Sequence, residues 1–278
     1  MAPRTVGRIC YNIAWRACRI FLIAYLVLFL VMMYLENSLI YFPMKFPGGN
    51  WTPQGITVED AWFTAVDGTK IHGWYVPHEQ SKAVILFCHG NGGNVTHRAD
   101  VIRELRNRVG AAVLIFDYRG YGKSEGKPNE SGVLADARAA RSWLAQKTGV
   151  GESQIVLMGE SLGGAVAVDL ATDGARALIL ENTFSSIPDV ASHHYPWAPV
   201  RLLMRTRFNS AVNIRSYHGP LYQSHGDRDS IVPLELARRL FDAANEPKQF
   251  LVLEWANHND PHSPHYYDKL REFLVGLP

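Results

Sequence analysis

The pentapeptide Gly159-Glu160-Ser161-Leu162-Gly163 constrains the fold more than any other stretch. It follows the apolar run Ile155-Val156-Leu157-Met158 and leads into the small-residue stretch Gly164-Ala165-Val166-Ala167-Val168, so the implied order is strand, tight turn, helix. In such a turn the serine sits on a sharp, strained corner with its hydroxyl exposed above a helix N-terminus. The glycines two before and two after let neighbouring backbone come close. A serine that only capped a helix would ask nothing further of the chain. A nucleophile elbow asks for an acid and a histidine at later strand ends.

The rest of the chain supplies the sheet. Residues 61–64 and 70–76 flank Asp67-Gly68 and predict an antiparallel hairpin. After Pro77, apolar runs at 83–88, 111–116, 155–158, 177–180, 221–224 and 250–253 alternate with helical stretches at 95–109, 131–146, 162–171, 233–244 and 263–274. Runs apolar on both faces suit parallel strands covered by helices. The expectation is therefore an α/β chain with about eight strands, the first two antiparallel and the rest mostly parallel, with helices on both faces. At 278 residues, 47% apolar and 19% charged, one large domain accommodates it. A net charge of +2 gives no warrant for nucleic-acid binding. Cys10, Cys18 and Cys88 form no disulfide framework.

Ligand sites in open parallel sheets gather where strands end. Those positions hold His89-Gly90-Asn91-Gly92-Gly93, Asp117-Tyr118-Arg119-Gly120, Ser161, Glu181-Asn182, His225-Gly226-Asp227-Arg228-Asp229 and Ala256-Asn257-His258. A serine hydroxyl needs a histidine to take its proton and a carboxylate to fix that histidine's tautomer. The chain order Ser161, then Asp227 or Asp229, then His258 meets both needs. Other motifs fail: the glycines at 120, 122 and 126 do not have dinucleotide spacing, and Gly122-Lys123-Ser124 lacks the Walker glycine because position 117 is Asp. His258, Asp260, His262 and His265 are interrupted by Pro261 and Pro264, so no metal site is expected.

These stretches resemble the α/β-hydrolase superfamily over roughly residues 55–278. Within it, the chain is most similar to the membrane-anchored abhydrolase-domain serine hydrolases related to the bud-emergence proteins, through Leu39-Ile40-Tyr41-Phe42-Pro43 and Asn257-His258-Asn259-Asp260 as well. The resemblance implies an acyl-ester or thioester hydrolase using no metal or organic cofactor. In that family the acid commonly stands just ahead of a Val-Pro pair, and Asp229-Ser230-Ile231-Val232-Pro233 fits, which selects Asp229 over Asp227. The oxyanion hole takes one amide from the residue after the nucleophile, Leu162, and one from the loop after the third strand, the Asn91 amide. His89 and Glu160 beside these groups, and Tyr195 and Trp197 further on, are expected to meet substrate. A catalytically silent scaffold and a small-peptide serine peptidase are the alternative readings.

Residues 20–35 are uncharged and almost wholly apolar, spanning roughly 24 Å as a helix. Tyr11 and Trp15 before it, and Tyr34, Tyr41 and Phe42 after it, suit the two interfaces of a membrane segment over 20–42. No small-x-small cleavage site follows, which favours a retained signal anchor over a signal peptide. Arg4, Arg8, Arg16 and Arg19 precede the run, so residues 1–19 are expected in the cytoplasm and the catalytic domain on the far side. Cys10 and Cys18 stand at acylation-compatible positions and are expected to be unmodified. Gly- and Pro-rich residues 43–54 read as a linker, and 55–278 as the hydrolase domain. Residues 188–220 read as a small aromatic and basic lid. Within it, a helix over 200–208 would set Val200, Leu203 and Met204 on one side and Arg201 and Arg205 on the next, suited to a lipid interface.

Overall fold

The computed structural model describes residues 3–277 and divides into two units between Ile40 and Tyr41. In the first, helix α1 (Pro3–Tyr34) is followed by a short helix, Glu36–Ile40. The side chains of residues 3–7, 9 and 10, including Arg4 and Cys10, lie outside the described residues. The stretch Tyr11–Tyr34, 24 residues with a mean hydropathy of 2.3, is long and apolar enough to cross a membrane. It spans about 36 Å, more than a typical hydrocarbon core. It starts earlier than residue 20 because Arg16 and Arg19 do not interrupt the helix, and it ends before Tyr41.

The second unit is built on eight strands: β1 (Glu59–Thr64), β2 (Lys70–Val76), β3 (Ala83–Cys88), β4 (Ala111–Phe116), β5 (Val156–Glu160), β6 (Ala177–Glu181), β7 (Leu221–Gly226) and β8 (Lys248–Leu253). They lie in the order β8-β7-β6-β5-β3-β4-β2-β1. The β1–β2 hairpin and the β2–β4 pair are antiparallel, and all other pairs are parallel. This is the α/β-hydrolase fold.

The central strands are buried on both faces, as their unbroken apolar runs require. Ile85, Phe87, Val113, Ile115, Val156 and Met158 pack with Ile102 and Leu105 and with Tyr266 and Leu270 of α6 (Pro264–Val275). The alternate residues Leu86, Leu114, Leu157 and Leu178, also fully buried, belong to the opposite face by the period of two, the side of α3 (Glu130–Thr148) and α4 (Leu162–Ala171). Truncating such a leucine to alanine costs about 2–5 kcal/mol.

Three expectations are corrected. The single helix over 95–109 is a 3-10 turn (Val95–Arg98), helix α2 (Ala99–Glu104) and a π turn (Leu105–Val109) that stops at left-handed Gly110. Residues 43–54 are no free linker, and the domain starts at Tyr41 rather than 55. Phe42–Pro43 pairs in parallel with Gly92–Gly93, and the Trp51 ring meets Trp74 edge-on at 5.7 Å. The segment expected to form a lid is a series of short pieces: α5 (Ile187–His194), Val200–Leu203, Ser210–Asn213 and a 3-10 turn, Ile214–Ser216. No helix runs over 200–208: the turn stops at Leu203, Met204 is extended, and further on the carboxylate of Glu130 on α3 takes the backbone N–H groups of Arg207 and Phe208 at 2.7 and 2.8 Å. Arg201 is held by Asp189 at 3.0 Å.

Candidate active site

Ser161 joins β5 to α4 with φ 51° and ψ −117°, a left-handed conformation that costs a non-glycine residue on the order of 1–3 kcal/mol. The surroundings hold it there. Its N–H donates to Glu181 O at 2.8 Å, and its carbonyl accepts from the Thr183 hydroxyl at 2.7 Å. A Cβ on Gly159 would lie 2.2 Å from Gly163 O, and one on Gly163 would lie 2.0 Å from Cys88 O. The flanking glycines are thus required by backbone packing, as the spacing suggested.

His258 and Asp229 converge on the serine. His258 Nε2 lies 3.0 Å from Ser161 Oγ, and Nδ1 lies 2.6 Å from Asp229 Oδ2. The carboxylate only accepts, so Nδ1 carries the proton and Nε2 offers its lone pair to the serine hydroxyl. Ser161 and His258 are 9% and 8% exposed, nearly closed to water yet reachable. Asp229 Oδ1 accepts the N–H groups of Ile231 and Val232 at 2.9 and 2.7 Å. Burial pushes its carboxyl up, but the His258 contact and these amides outweigh burial and hold it below its ordinary value. Asp227, two residues away, is exposed. His225, whose Nε2 lies 2.8 Å from Val232 O and 3.3 Å from Asp229 Oδ2, is pushed down chiefly by burial, which keeps it neutral beside the acid.

The loop carrying Asn91 is carried to the elbow by the β3–β5 register, which sets Cys88 beside Gly159. Gly90 packs so closely on Glu160 that a Cβ there would lie 2.7 Å from its carboxylate. Arg98 bridges the two segments, donating to both Glu160 oxygens at 3.0 and 2.7 Å and to Gly92 O at 3.1 Å. Burial opposes the Glu160 charge, but Arg98 outweighs it and lowers the pKa. The expected substrate contact of Glu160 is therefore replaced by an ion pair. His89 is fully buried, its Nδ1 donating to Gly90 O at 2.6 Å, and burial lowers its pKa to about 4. It supports the loop from behind and is closed to substrate. Leu162 is the first residue of α4, next to Ser161. Tyr195 and Trp197 are half exposed and meet edge-on at 6.4 Å just after α5.

Two residues whose roles only the structure reveals fix the histidine loop. Asn182, left-handed at φ 47°, accepts from Gly226 N and donates to His258 O at 2.9 Å, tying β6 to β7 and to the loop. Asn257 Oδ1 takes the His258 and Ser230 N–H groups at 2.7 and 3.0 Å, linking the histidine loop to the acid loop. Their signal in the sequence was position alone, just after a strand.

A family model described as Serine aminopeptidase, S33 matches residues 79–216. Protein Rv2307c of Mycobacterium tuberculosis is 40% identical over 249 residues, covering 86% of this chain and 87% of that one. Protein bem46 of Schizosaccharomyces pombe is 33% identical over 204 residues, covering 70% of this chain and 68% of its own. The chain belongs to the bem46-related α/β hydrolases. Among solved structures, the Pyrococcus furiosus esterase Pf2001 superposes with a TM-score of 0.70 at 22% identity, covering 86% of this chain and 98% of that one, which is agreement in fold. Hydrolase chemistry is what this family supports for the chain.

Proposed function

We propose that this chain is a membrane-anchored serine hydrolase that cleaves carboxylic esters or thioesters through an acyl-enzyme. The reading rests on one observation: a serine on a strained elbow with a histidine Nε2 at 3.0 Å whose other nitrogen meets a buried carboxylate at 2.6 Å. Ser161 Oγ attacks the acyl carbonyl while His258 Nε2 takes its proton, and Asp229 stabilises the imidazolium. The resulting oxyanion is held by the Leu162 and Asn91 amides. Collapse expels the alkoxide or thiolate, which leaves with the proton from His258. Water then attacks the acyl-enzyme with His258 as base, releasing the acid and restoring Ser161.

An aminopeptidase is the rival reading, favoured by the description of the matching family model. Such an enzyme needs a carboxylate to hold the substrate's α-ammonium. Glu160, the acid beside the nucleophile, is already neutralised by Arg98 at 2.7 Å, which favours the ester. Comparing p-nitrophenyl acyl esters with aminoacyl p-nitroanilides tests this. Preferential hydrolysis of the anilides would replace the ester reading.

The apolar stretch Tyr11–Tyr34 supports a single membrane span, and the arginines at 4, 8, 16 and 19 support a cytoplasmic N-terminus. Protease added to intact cells or spheroplasts should then reach the catalytic unit, and complete protection would reverse the topology. A lipid acyl ester presented at that membrane is the substrate class this arrangement favours.

A further inference from the structure

The segment just after the N-terminal helices laces together the loops around Asn91. Phe42 and Pro43 pair with Gly92 and Gly93, the two residues following Asn91. Met44 N–H donates to Gly93 O at 3.0 Å, and the Asn94 side chain donates back to Met44 O and Gly48 O at 3.2 and 2.9 Å. On its other edge the same segment grips a second loop: Phe46 N–H donates to Gly122 O, and Gly122 N–H to Met44 O, both at 2.9 Å. That second loop carries buried Tyr121, whose hydroxyl donates to Asn91 Oδ1 at 2.9 Å. Asn91 is thereby flanked by two loops that share one strap.

We infer that residues 42–48 are a positioning element of the catalytic apparatus, holding the Asn91 amide at the place where the oxyanion forms. The inference rests on the serine-hydrolase reading above. An oxyanion donor works only when already aimed at the developing charge, and removing one costs about 10²–10³ in kcat. Glycines at 90, 92 and 93 leave the loop little stiffness of its own. Hydrogen bonds from outside must supply it, and the strap is one source.

Asn94 gives a clean cut. Its Oδ1 caps the following turn by accepting from Thr96 N at 3.0 Å and from the Thr96 hydroxyl at 2.6 Å, whereas its Nδ2 serves the strap. Asn94→Asp keeps a capping oxygen and puts an acceptor in place of both strap donors, while Asn94→Ser keeps a capping hydroxyl whose single O–H on a shorter side chain replaces the two amide donors. In the full-length protein each should lower kcat about tenfold, with KM within twofold and the midpoints of the kcat/KM pH profile unmoved, because the triad is untouched. Hydrogen exchange on the wild-type chain supplies a readout independent of any variant. Phosphonylating Ser161 with a fluorophosphonate fills the oxyanion site and should slow exchange at the Met44 and Phe46 amides. A kcat within twofold of wild type in the folded variants, a shifted pH profile, or unchanged exchange over 42–48 overturns the inference. A wild-type chain that takes no phosphonate at Ser161 instead overturns the hydrolase reading and this inference with it.

Discussion

The elbow and the segment over 188–220, the proposed lid, are built in opposite ways. From Gly159 to Ala171 the chain is almost wholly buried, its turn is fixed by backbone contacts that admit no side chain, and its strain is held by hydrogen bonds to Glu181 and Thr183 at the end of the next strand. From 188 to 220 it is a set of short helices with Tyr195, Trp197 and Leu202 exposed at 48%, 55% and 79%, joined to the domain through side-chain pairs such as Asp189 with Arg239. Close packing leaves the first region one conformation, so it can hold reacting atoms to a fraction of an ångström. Surface pieces tolerate change and carry specificity. Chemistry should therefore fail sharply when the interior is altered, and selectivity should shift gradually when the lid is.

The largest expected effect separates two neighbouring acids. Asp229→Asn should lower kcat by about 10³–10⁴, since it leaves His258 in the wrong tautomer, while exposed Asp227→Asn stays within about twofold. A larger loss at Asp227 would show that the interior geometry does not control the chemistry. Next comes the packing itself. Gly163→Ala places a methyl group against the Cys88 and His89 carbonyls, at 2.0 and 2.5 Å, and should cost roughly 1–3 kcal/mol or more in denaturant unfolding. Stability equal to wild type would mean that the elbow can relax.

A smaller effect is expected where the histidine loop meets Glu181. His262 Nε2 lies 3.2 Å from Glu181 Oε1 and its ring stacks on Tyr266 at 4.1 Å, while the Tyr266 hydroxyl donates to the same carboxylate. Burial lowers the His262 pKa, but the Glu181 charge and hydrogen bond outweigh it and hold it above its ordinary value. A folded-state pKa above the unfolded one stabilises fully below the unfolded value, and that stabilisation fades as pH rises through the folded value. His262→Gln should therefore cost about 1–2 kcal/mol in urea unfolding at pH 5 and less at pH 9. A cost independent of pH would assign the contact to packing alone. The smallest effect belongs to the lid: Leu202→Ala and Trp197→Ala should leave stability within about 0.5 kcal/mol and shift the preference between octanoyl and acetyl esters about threefold. Unchanged chain-length preference would remove the lid from substrate selection.

The same contrast explains what was legible in the sequence. Gly159, Ser161 and Gly163 announced themselves because a strained turn under close packing leaves few residue choices, and unbroken apolar runs gave the parallel strands. Asp229 was separated from Asp227 only through the Val232-Pro233 pair that follows it, because its contact with His258 lies 29 residues later. The strap was misread because Gly and Pro mark flexible linkers and close approaches alike: Gly49, at φ +100°, lies where a Cβ would meet the Thr96 hydroxyl at 2.0 Å. The helix expected over 200–208 satisfied its own periodicity, yet it stops at Leu203, and the Arg207 and Phe208 amides are taken by Glu130, far away in sequence.

The most direct test of the account is rapid-quench intact-mass analysis of the full-length protein mixed with a p-nitrophenyl acyl ester. A transient mass increase equal to the acyl group, localised to Ser161, accompanied by a stoichiometric burst of p-nitrophenol and absent in Ser161→Ala, is the predicted result. Turnover with no acyl adduct in wild type, or undiminished turnover in folded Ser161→Ala, would contradict it.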